Sequence, residues 1–573
     1  MPPRLQLIRT RSWSRLADIL IFAAGLALFY GILQIARTWL GPYTPLVHIS
    51  RSPGDLPLYA AYSLLRIAIA YVLSLAFALG FGYAAARSRR AEVVLVPLLD
   101  ILQSIPVLSF LPGVMLAMVA LFPHSQIGLE LGAITLIFTG QVWNLAFSFY
   151  SSLKVIPKEL TEVASVYSFG WWQRLTQLEL PHAAQGLVWN SMMSVAGGWF
   201  FLMACEMFAL GKRDFRLPGL GSYLQTAAAA GDTHSILWGL GAMVAVIVLL
   251  DQWVWKPLIV WADKFKFEQN QGESSDGSFV LRLLRRSAIL TQLRIRAFTP
   301  AADHLTFYFA RQRREAQFPA QPSKSKIWTE RTLVAVGLAA IVYGVIRAGA
   351  LMAGLRSVDL ENLLAGSGAT FLRVIIALVV ATLWTVPAGV AIGLNQRLAR
   401  VAQPLAQIAA SVPATALFPV ILLLLIRIGG GMNAASVLLM ILGIQWYLLF
   451  NVIAGAMAIP NDLKEAAATF RFSRLDCWRR LILPCVFPYL VTGLVTAAGA
   501  AWNASIIAEY FRFRGRILST IGLGAMISKA TDAGRFDLLL AATLAMAIMV
   551  VIINRLLWKP LYRLSQTRFK LEA

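Results

Sequence analysis

Long apolar stretches alternate with short polar segments along most of the chain. Most of these stretches are at least as long as the roughly 20 residues that a helix needs to cross the hydrocarbon core of a bilayer. The pattern therefore predicts about twelve transmembrane helices. Six lie in the first half of the chain, at about residues 16–40, 58–86, 91–120, 126–153, 182–210 and 235–262. Six lie in the second half, at about residues 328–353, 362–394, 400–428, 432–458, 485–511 and 535–558.

The composition agrees with this pattern. Hydrophobic residues make up 58% of the chain and charged residues only 14%, which is more apolar surface than a soluble core can use. We therefore expect an all-α polytopic membrane protein. The net charge of +23 would suggest a nucleic-acid partner in a soluble protein. Here the basic residues cluster at the ends of apolar stretches, where membrane lipid accounts for them, and we expect no nucleic-acid partner.

The orientation follows from basic residues in the short loops. Lys and Arg concentrate after the second, fourth, eighth and twelfth stretches, and all of these loops fall on the same side as the N-terminus. The positive-inside rule then predicts cytoplasmic N- and C-termini. The first apolar stretch is too long for the core of a signal peptide, so we expect it to remain as a transmembrane helix.

The chain contains a tandem repeat. Leu65-Arg66 returns as Leu372-Arg373, an offset of 307, and after a slip of four residues the offset becomes 303. At that offset Trp199 matches Trp502, Glu206 matches Glu509, and Gly219-Leu220-Gly221 matches Gly522-Leu523-Gly524. Because each repeat has an even number of predicted spans, the copies should be parallel and related by an axis along the membrane normal.

The repeat defines five regions. A first helix with its flanking segments occupies residues 1–55, and a seventh helix with its outer loop occupies 326–362. The two repeats cover residues 56–267 and 363–573. A basic linker, residues 268–325, contains an amphipathic segment at 279–298. This segment is predicted to lie on the inner leaflet; the alternative is a solvated linker helix.

One polar segment recurs between apolar stretches in both copies. The sequence EVASVYSFGWWQRLTQLELP at residues 162–181 corresponds to EAAATFRFSRLDCWRRLILP at residues 465–484. In each copy a glutamate opens the segment, and 19 positions later a proline precedes the next apolar stretch. Small residues after the glutamate allow close helix contacts, and proline is well tolerated at the start of a helix.

This segment resembles the EAA loop of ABC importer permeases, which docks on the ATPase. Together with the Leu-Arg, Glu and Gly-Leu-Gly positions, it resembles the nitrate, sulfonate/taurine and bicarbonate group of binding-protein-dependent, MetI-like permeases. The family usually has a glycine six residues after the glutamate, where this chain has Ser168 and Arg471. The resemblance implies ATPase coupling through Glu162, Ala164, Gly170, Pro181, Glu465, Ala466, Ala467 and Pro484.

The resemblance also implies partners. The chain has no GxxxxGK[ST] motif, so ATP and Mg²⁺ should be bound by partner ATPase subunits, and we expect no cofactor or metal in this chain and no enzyme activity. A fused pair of permeases should bind two ATPase subunits and a periplasmic or lipid-anchored binding protein. The expected function is ATP-driven import of a small anion. An ion-coupled secondary transporter, or a membrane scaffold or sensor, is the alternative.

Ionisable residues within predicted spans are candidates for function. Counting residues along the helices predicts two ion pairs, Arg66–Glu206 and Arg373–Glu509, either as braces between helices or as part of the translocation path. Trp199 and Trp502 precede the glutamates by two helical turns and could contact solute or only pack between helices. Basic residues on the outer side, chiefly Arg512 and Arg514, could attract an anion. Arg516, Lys212, Arg213 and Arg216 belong to the same group.

Overall fold

The computed structural model describes residues 48–265 and 346–568, apart from residues 105, 124, 211–212, 428–430 and 514–515, with a few single residues between the two ranges. The predicted first span, most of the seventh span and the amphipathic linker segment lie outside the described residues. In the described part, eight helices are long and apolar enough to cross a membrane.

Among the described residues, the first repeat is built from ten helices and a short hairpin. A 3₁₀ turn at Pro53–Asp55 leads into the first long helix, a 3₁₀ turn at Val107–Phe110 separates α2 from α3, and π-helical turns at Leu175–Glu179 and Asp251–Trp255 precede α7 and α10. The elements are α1 (Leu56–Arg87), α2 (Arg89–Ser104), α3 (Leu111–Leu121), α4 (Ile127–Lys154), α5 (Lys158–Val166), α6 (Trp171–Arg174), α7 (Leu180–Glu206), β1 (Ala209–Leu210), β2 (Arg213–Asp214), α8 (Leu220–Ala230), α9 (Thr233–Leu250) and α10 (Lys256–Ala262).

The second repeat has the same elements in the same order. They are α11 (Ser357–Leu394), α12 (Gln396–Ser411), α13 (Ala414–Arg427), α14 (Met432–Met457), α15 (Asn461–Thr469), α16 (Arg474–Asp476), α17 (Leu483–Ala508), β3 (Tyr510–Phe513), β4 (Arg516–Ser519), α18 (Leu523–Asp532), α19 (Phe536–Ile553) and α20 (Lys559–Arg568). The correspondence between α1 and α11, and between every later pair, follows the repeat found in the sequence.

Two predicted spans differ from the structure. The stretches at 91–120 and 400–428 were expected to form single helices, but each is divided into two, α2 with α3 and α12 with α13. Pro413 explains the second break, because a residue before proline is driven out of the helical region, and Val412 is extended with ψ 117°. Pro106, with ψ 116°, marks the corresponding break in the first repeat.

Within each repeat the fourth-span helix packs between two others. α4 lies against α1 and α7, and α14 lies against α11 and α17. Glycine permits the close approach at equivalent positions: a Cβ on Gly82 would meet Phe149 at 2.8 Å, and one on Gly389 would meet Val452 at 2.7 Å. Gly82 and Gly389, like Phe149 and Val452, are equivalent positions of the repeat. Both halves therefore use the same residue positions for this helix contact.

The two repeats pack directly against each other. The segment after Pro106 contacts α17, where the backbone N–H of Leu108 donates to Oδ1 of Asn503 over 3.4 Å. The hydroxyl of Thr543 in α19 donates to the backbone oxygen of Ser109 over 3.2 Å. One cluster of buried apolar side chains includes residues of both repeats, so the break in the third span creates an interlocking contact between the halves.

Candidate functional site: paired ion clusters and docking loops

Arg66 forms the centre of a buried cluster in the first repeat. Its side chain is fully buried in α1. Nη1 donates to Oε1 of Glu206 over 2.7 Å and to the backbone oxygen of Pro218 over 2.8 Å. Nε and Nη2 donate to the two carboxylate oxygens of Glu130 over 2.5 and 2.8 Å. The predicted pair Arg66–Glu206 is therefore present, and it is part of a larger network that joins α1, α4 and α7.

Glu206 also holds the loop that follows α7. The hydroxyl of Ser63 donates to its Oε1 over 2.6 Å, and the backbone N–H of Gly221 donates to Oε2 over 2.8 Å. The Ser63 oxygen in turn accepts from the backbone N–H of Leu220 over 3.1 Å. A single carboxylate thus links the first part of α1 and the end of α7 to the start of α8.

The Gly-Leu-Gly sequence is explained by the carboxylate beside it. A Cβ on Gly219 would lie 2.3 Å from the carboxyl carbon of Glu206, and a Cβ on Gly522 would lie 2.3 Å from that of Glu509. Both glycines have an extended backbone, so conformational freedom is not the reason for glycine. The requirement is space for the buried carboxylate, which would otherwise be displaced from its hydrogen bonds.

The second repeat contains the equivalent cluster. Nη1 of Arg373 donates to Oε1 of Glu509 over 2.8 Å and to the backbone oxygen of Ile521 over 2.7 Å. The hydroxyl of Thr370, at the position of Ser63, donates to Oε1 of Glu509 over 2.8 Å. The backbone N–H of Gly524 donates to Oε2 over 2.9 Å. The second predicted ion pair is therefore also present.

The clusters differ at one acid. Glu130 in α4 is replaced by Asn433 at the start of α14, whose Oδ1 accepts from Nη2 of Arg373 over 2.8 Å. The first cluster consequently contains one arginine and two carboxylates, whereas the second contains one of each. Sequence analysis missed Glu130, although an acid inside the predicted fourth span was a signal for it.

Trp199 and Trp502 lie inside the helix packing. Each side chain is 2% exposed, and each belongs to a cluster of buried apolar residues. This placement agrees with the interpretation that the two tryptophans pack between helices. Contact with a solute stays a prediction for both residues.

The recurring polar segments form a helix, a tight turn and the beginning of the next long helix. α5 ends in a turn in which Phe169 N donates to Ala164 O over 2.9 Å, and α15 ends in a turn in which Phe472 N donates to Ala467 O over 3.0 Å. Ser168 and Arg471 occupy these turns with φ of 53° and 50°. They are the non-glycine residues of the described chain that have positive φ. The position at which the family usually has glycine is therefore one where the backbone adopts the left-handed conformation that favours glycine.

The other coupling candidates lie around these turns. Glu162 and Glu465 are exposed on α5 and α15, and Ala164 is buried with 4% exposure. Ala467, which is the equivalent of Ala164, is half-buried, and so is its neighbour Ala466. Gly170 precedes α6, and its N–H donates to Oε1 of Gln173 over 2.9 Å. Pro181 and Pro484 stand in the first turns of α7 and α17, as expected for proline at a helix start.

An apolar surface accompanies each exposed glutamate. Tyr167 and Phe470, which precede the turn residues, are 73% and 75% exposed, and Val166 is 81% exposed. Large exposed apolar groups at the end of a short helix are typical of a surface that binds another protein. The first loop adds Val163 and Trp171, where the second has Ala466 and Arg474, so the two surfaces are similar but not identical.

Of the basic residues that were predicted to attract an anion, Arg512 and Arg516 in the β3–β4 hairpin are described only in their backbone. Arg512 and Arg516 lie in β3 and β4, which pair antiparallel with Phe513 opposite Arg516. The side chains of Arg512 and Arg516, and residue Arg514 altogether, lie outside the described parts of the structure. In the first repeat, Arg216 donates from Nη1 to Oγ1 of Thr226 over 3.0 Å. A role in attracting an anion stays a prediction.

The loop before α9 is ordered by an acidic helix cap. Asp232 accepts a hydrogen bond from the backbone N–H of Ser235 over 3.1 Å and from its hydroxyl over 2.8 Å. These bonds, the backbone one foremost, lower the pKa of Asp232. Asp232 also pairs with Arg51 over 3.5 Å, which ties the start of α9 to the segment before α1.

Comparison with known proteins gives consistent matches. The chain is 25% identical over 188 residues to the nitrate import permease protein NrtB of Leptolyngbya laminosa, covering 33% of this chain and 64% of that protein. It is 29% identical over 186 residues to the taurine transport system permease protein TauC of Escherichia coli, covering 32% and 64%. It is 25% identical over 187 residues to the bicarbonate transport system permease protein CmpB of Synechococcus elongatus, covering 33% and 64%. The matched part is thus just under two thirds of each relative's length.

The family model of the binding-protein-dependent transport system inner membrane component matches twice, at residues 76–251 and 385–558. Each match falls inside one of the two repeats, and together they cover more than half of the chain. The chain therefore belongs to the family of binding-protein-dependent transport system inner membrane components and carries the family's domain in two tandem copies.

Proposed function

We propose that this chain is the transmembrane permease subunit of an ATP-driven ABC importer and forms the translocation path for a small anion. The observation that carries the proposal is the pair of exposed docking loops. Both present a glutamate, an aromatic side chain and a left-handed turn at equivalent positions. A secondary transporter driven by an ion gradient would have no use for two such surfaces.

The loops are suited to transmit force. α5 and α15 are short helices, each connected through one tight turn to a continuous helical segment, Trp171–Glu206 or Arg474–Ala508. These segments include α7 and α17, and a buried glutamate, Glu206 or Glu509, lies at the far end of each. ATP-driven closure of two partner ATPases would move these short helices as levers. The long helices would then tilt with the halves, which alternately opens the path to each side of the membrane.

The buried clusters act as braces in this mechanism. Each cluster ties α1, α4 and α7, or α11, α14 and α17, into one rigid unit at the end away from the docking loop. Because the ion pairs of each cluster lie within one half, a half can tilt without breaking them. ATP and Mg²⁺ would be bound by the partner ATPases, and a separate binding protein would deliver the solute.

The choice of a small anion rests on the relatives and on the outer hairpin. Relatives of this chain are named for import of nitrate and for transport of taurine and bicarbonate. The hairpin β3–β4 carries Arg512, Arg514 and Arg516 on the side that the positive-inside rule predicts to be outside. Nitrate, bicarbonate and organosulfonates are therefore the solutes to test first.

Transport with charge-reversed docking loops tests the proposal. The chain would be reconstituted in proteoliposomes with its ATPase and binding protein, and uptake and ATP hydrolysis would be measured together. The double variant Glu162→Lys/Glu465→Lys should retain its fold and lose at least tenfold in ATP-dependent uptake, because reversed charges oppose docking. The single variants should differ from each other, because Ser168 and Arg471 make the loops unlike.

A matched control separates docking from charge in general. Glu361 is an exposed acid at the start of α11, on the opposite side of the membrane from the docking loops, and Glu361→Lys should leave uptake unchanged. Wild-type coupling in the double variant would reject the docking assignment. Uptake that requires an ion gradient and ignores ATP would identify a secondary transporter instead.

A further inference from the structure

The helix that follows the last span of the second repeat carries three basic residues on one side. Arg555, Lys559 and Arg563 are spaced four residues apart, and residues four apart lie on the same side of a helix. Together with Pro560 they line an open groove of about 340 Å³. All three are exposed, and within the part of the chain that the structure describes none of them forms an ion pair or a hydrogen bond with another residue. Their charges are therefore free to meet a ligand.

This basic groove lies at the boundary of the membrane. α19, which begins at Phe536, continues through a π-helical turn at Asn554–Trp558 into α20. Arg555 stands 19 residues after Phe536. That length of helix rises about 28 Å, close to the roughly 30 Å thickness of the hydrocarbon core. The groove is therefore at the level of lipid headgroups, on the side that the positive-inside rule predicts to be cytoplasmic.

The helix that carries the groove is fixed to the membrane part of the protein. α20 packs against α17, and Trp558 and Ser565 are buried. Apolar side chains nevertheless remain exposed on the same segment, with Leu556 at 75% and Tyr562 at 44% exposure. Cations beside exposed apolar side chains at a membrane boundary suit a ligand that has an anionic head and an apolar body.

The basic groove is particular to the second repeat. The sequence Trp-Lys-Pro-Leu at residues 558–561 also occurs at residues 255–258, but the flanking arginines do not. Arg555 corresponds to Gln252, and Arg563 corresponds to Val260. The first repeat also has two acids in this segment, Asp251 and Asp263, at the positions of Asn554 and Gln566. The positive-inside rule applies to both segments alike, so it does not account for a basic groove in one of them.

We propose that the basic groove binds an anionic phospholipid of the inner leaflet. The phosphate oxygens accept hydrogen bonds from Arg555, Lys559 and Arg563, and an acyl chain lies along Leu556. Positions four residues apart are separated by about 6 Å along a helix, so the three cations extend over about 12 Å, which is more than one phosphate group covers. A lipid with two phosphodiester groups should therefore bind more tightly than a lipid with one.

Native mass spectrometry of the full chain in detergent tests this inference without any transport assay. The probes are diphosphatidylglycerol, phosphatidylglycerol and phosphatidylcholine with the same acyl chains, and binding should weaken in that order. The triple variant Arg555→Gln/Lys559→Gln/Arg563→Gln should weaken diphosphatidylglycerol binding roughly a hundredfold. The reason is that each Lys or Arg near an anionic lipid surface contributes about 1 kcal/mol, and about 1.4 kcal/mol is a tenfold change in affinity. Phosphatidylcholine binding should not change.

A matched variant controls for the number of charges removed. Lys256→Gln/Arg397→Gln/Arg400→Gln removes three exposed cations from the same predicted side of the membrane, outside the groove, and should leave diphosphatidylglycerol binding unchanged. Both triple variants alter exposed residues, so both should keep the wild-type elution volume in size-exclusion chromatography.

Two further measurements distinguish a lipid from a free phosphate. Inorganic phosphate and glycerophosphoglycerol, which lack acyl chains, should displace diphosphatidylglycerol only at much higher concentration than phosphatidylglycerol does. Leu556→Ser should weaken the binding of the lipids and leave the binding of glycerophosphoglycerol unchanged, because only the lipids have an acyl chain to place against this residue.

Several outcomes would overturn the inference. Phosphatidylcholine binding as tightly as diphosphatidylglycerol, or equal losses from the two triple variants, would show that the groove does not select an anionic lipid. Displacement by inorganic phosphate as effective as displacement by phosphatidylglycerol would identify a site for a free anion instead. Unchanged lipid binding in the groove variant, together with loss of co-purification with the ATPase, would identify a surface that docks a protein.

Discussion

Arg66 and Arg373 each donate four hydrogen bonds, but they neutralise different charges. Arg66 faces Glu130 and Glu206, whereas Arg373 faces Glu509 and the uncharged Asn433. Removal of an arginine leaves buried carboxylates without a counter-charge, which typically costs about 3–5 kcal/mol for one buried pair. The loss should be greater in the first repeat, where two carboxylates remain.

We therefore predict that Arg66→Ala lowers the yield of folded, monodisperse chain more than Arg373→Ala does, and that both affect folding more than solute preference. The measurements are size-exclusion profiles in detergent and thermal unfolding. Glu130→Asn is the matched control, because it gives the first cluster the composition of the second and should be tolerated. Equal losses from the two arginine variants would contradict this account of the charge difference.

The two turn residues with positive φ give a second prediction at this scale. A non-glycine residue in the left-handed region costs about 1–2 kcal/mol. Substitution by glycine removes this cost, but it recovers only part of the free energy, because glycine loses more conformational entropy on folding. Ser168→Gly and Arg471→Gly should each stabilise the docking loop by a net amount on the order of 1 kcal/mol. Slower backbone hydrogen exchange in α5 and α15 would report the change.

Substitutions one helical turn earlier should have the opposite effect and destabilise the docking loops. Ser165→Gly and Ala468→Gly replace helical, exposed residues of α5 and α15, and glycine inside a helix costs about 0.5–1 kcal/mol relative to alanine. Backbone hydrogen exchange in α5 and α15 should therefore be faster in these variants. If all four glycine variants loosen the loops, the strain assigned to Ser168 and Arg471 is not present.

Sequence reasoning reached the ion pairs but not the complete clusters. Helix rise and bilayer thickness place Arg66 and Glu206 at similar depth, so their pairing could be expected. The side of α4 that carries Glu130 depends on how α4 rotates between α1 and α7, which no single-helix pattern determines. The left-handed turn at Arg471 had its only signal in the family's glycine at this position, because arginine itself does not favour positive φ.

At the scale of elements, the third and ninth spans show where hydropathy is least informative. Apolar content alone cannot distinguish one helix from two short helices joined at Pro106 or Pro413. Both proline positions were visible in the repeat, and their geometric effect became clear only with the extended backbone at the break. The broken spans supply the contact between Leu108 and Asn503 that locks the halves together.

The hairpin β3–β4 carries a prediction about solute attraction. Replacement of Arg512 and Arg514 with glutamine should leave assembly intact and slow anion uptake, because the field that attracts the anion is weakened. The reduction should be several-fold at low ionic strength and smaller at high salt, where screening already limits attraction between exposed charges. Initial uptake rates at several salt concentrations measure the effect.

The first repeat contains a suitable comparison for this hairpin. Arg216→Gln alters a basic residue near β1–β2 whose guanidinium already donates to Thr226, so uptake should change less than in the double variant. Uptake that is unchanged at every salt concentration in the Arg512/Arg514 variant would remove these residues from the argument for an anionic solute.

At the scale of the whole molecule, the duplication predicts the subunit composition of the assembled transporter. One chain contains both repeats and both proposed docking loops, so one copy should bind two ATPase subunits, identical or paralogous. Native mass spectrometry of the purified complex measures this ratio directly. Two copies of this chain in one transporter would show that the fused halves do not form a single path.

Fusion of the halves also changes what a single mutation can do. In a homodimer, every substitution near the symmetry axis appears twice and faces its own copy, so an acid such as Glu130 would have to be accepted in both halves at once. Here Gln225 and Ser528 are different residues at equivalent positions of the repeat, and Glu130 and Asn433 differ in the same way. Each half can therefore be altered alone, and the path can become chemically one-sided while its mechanics stay two-fold.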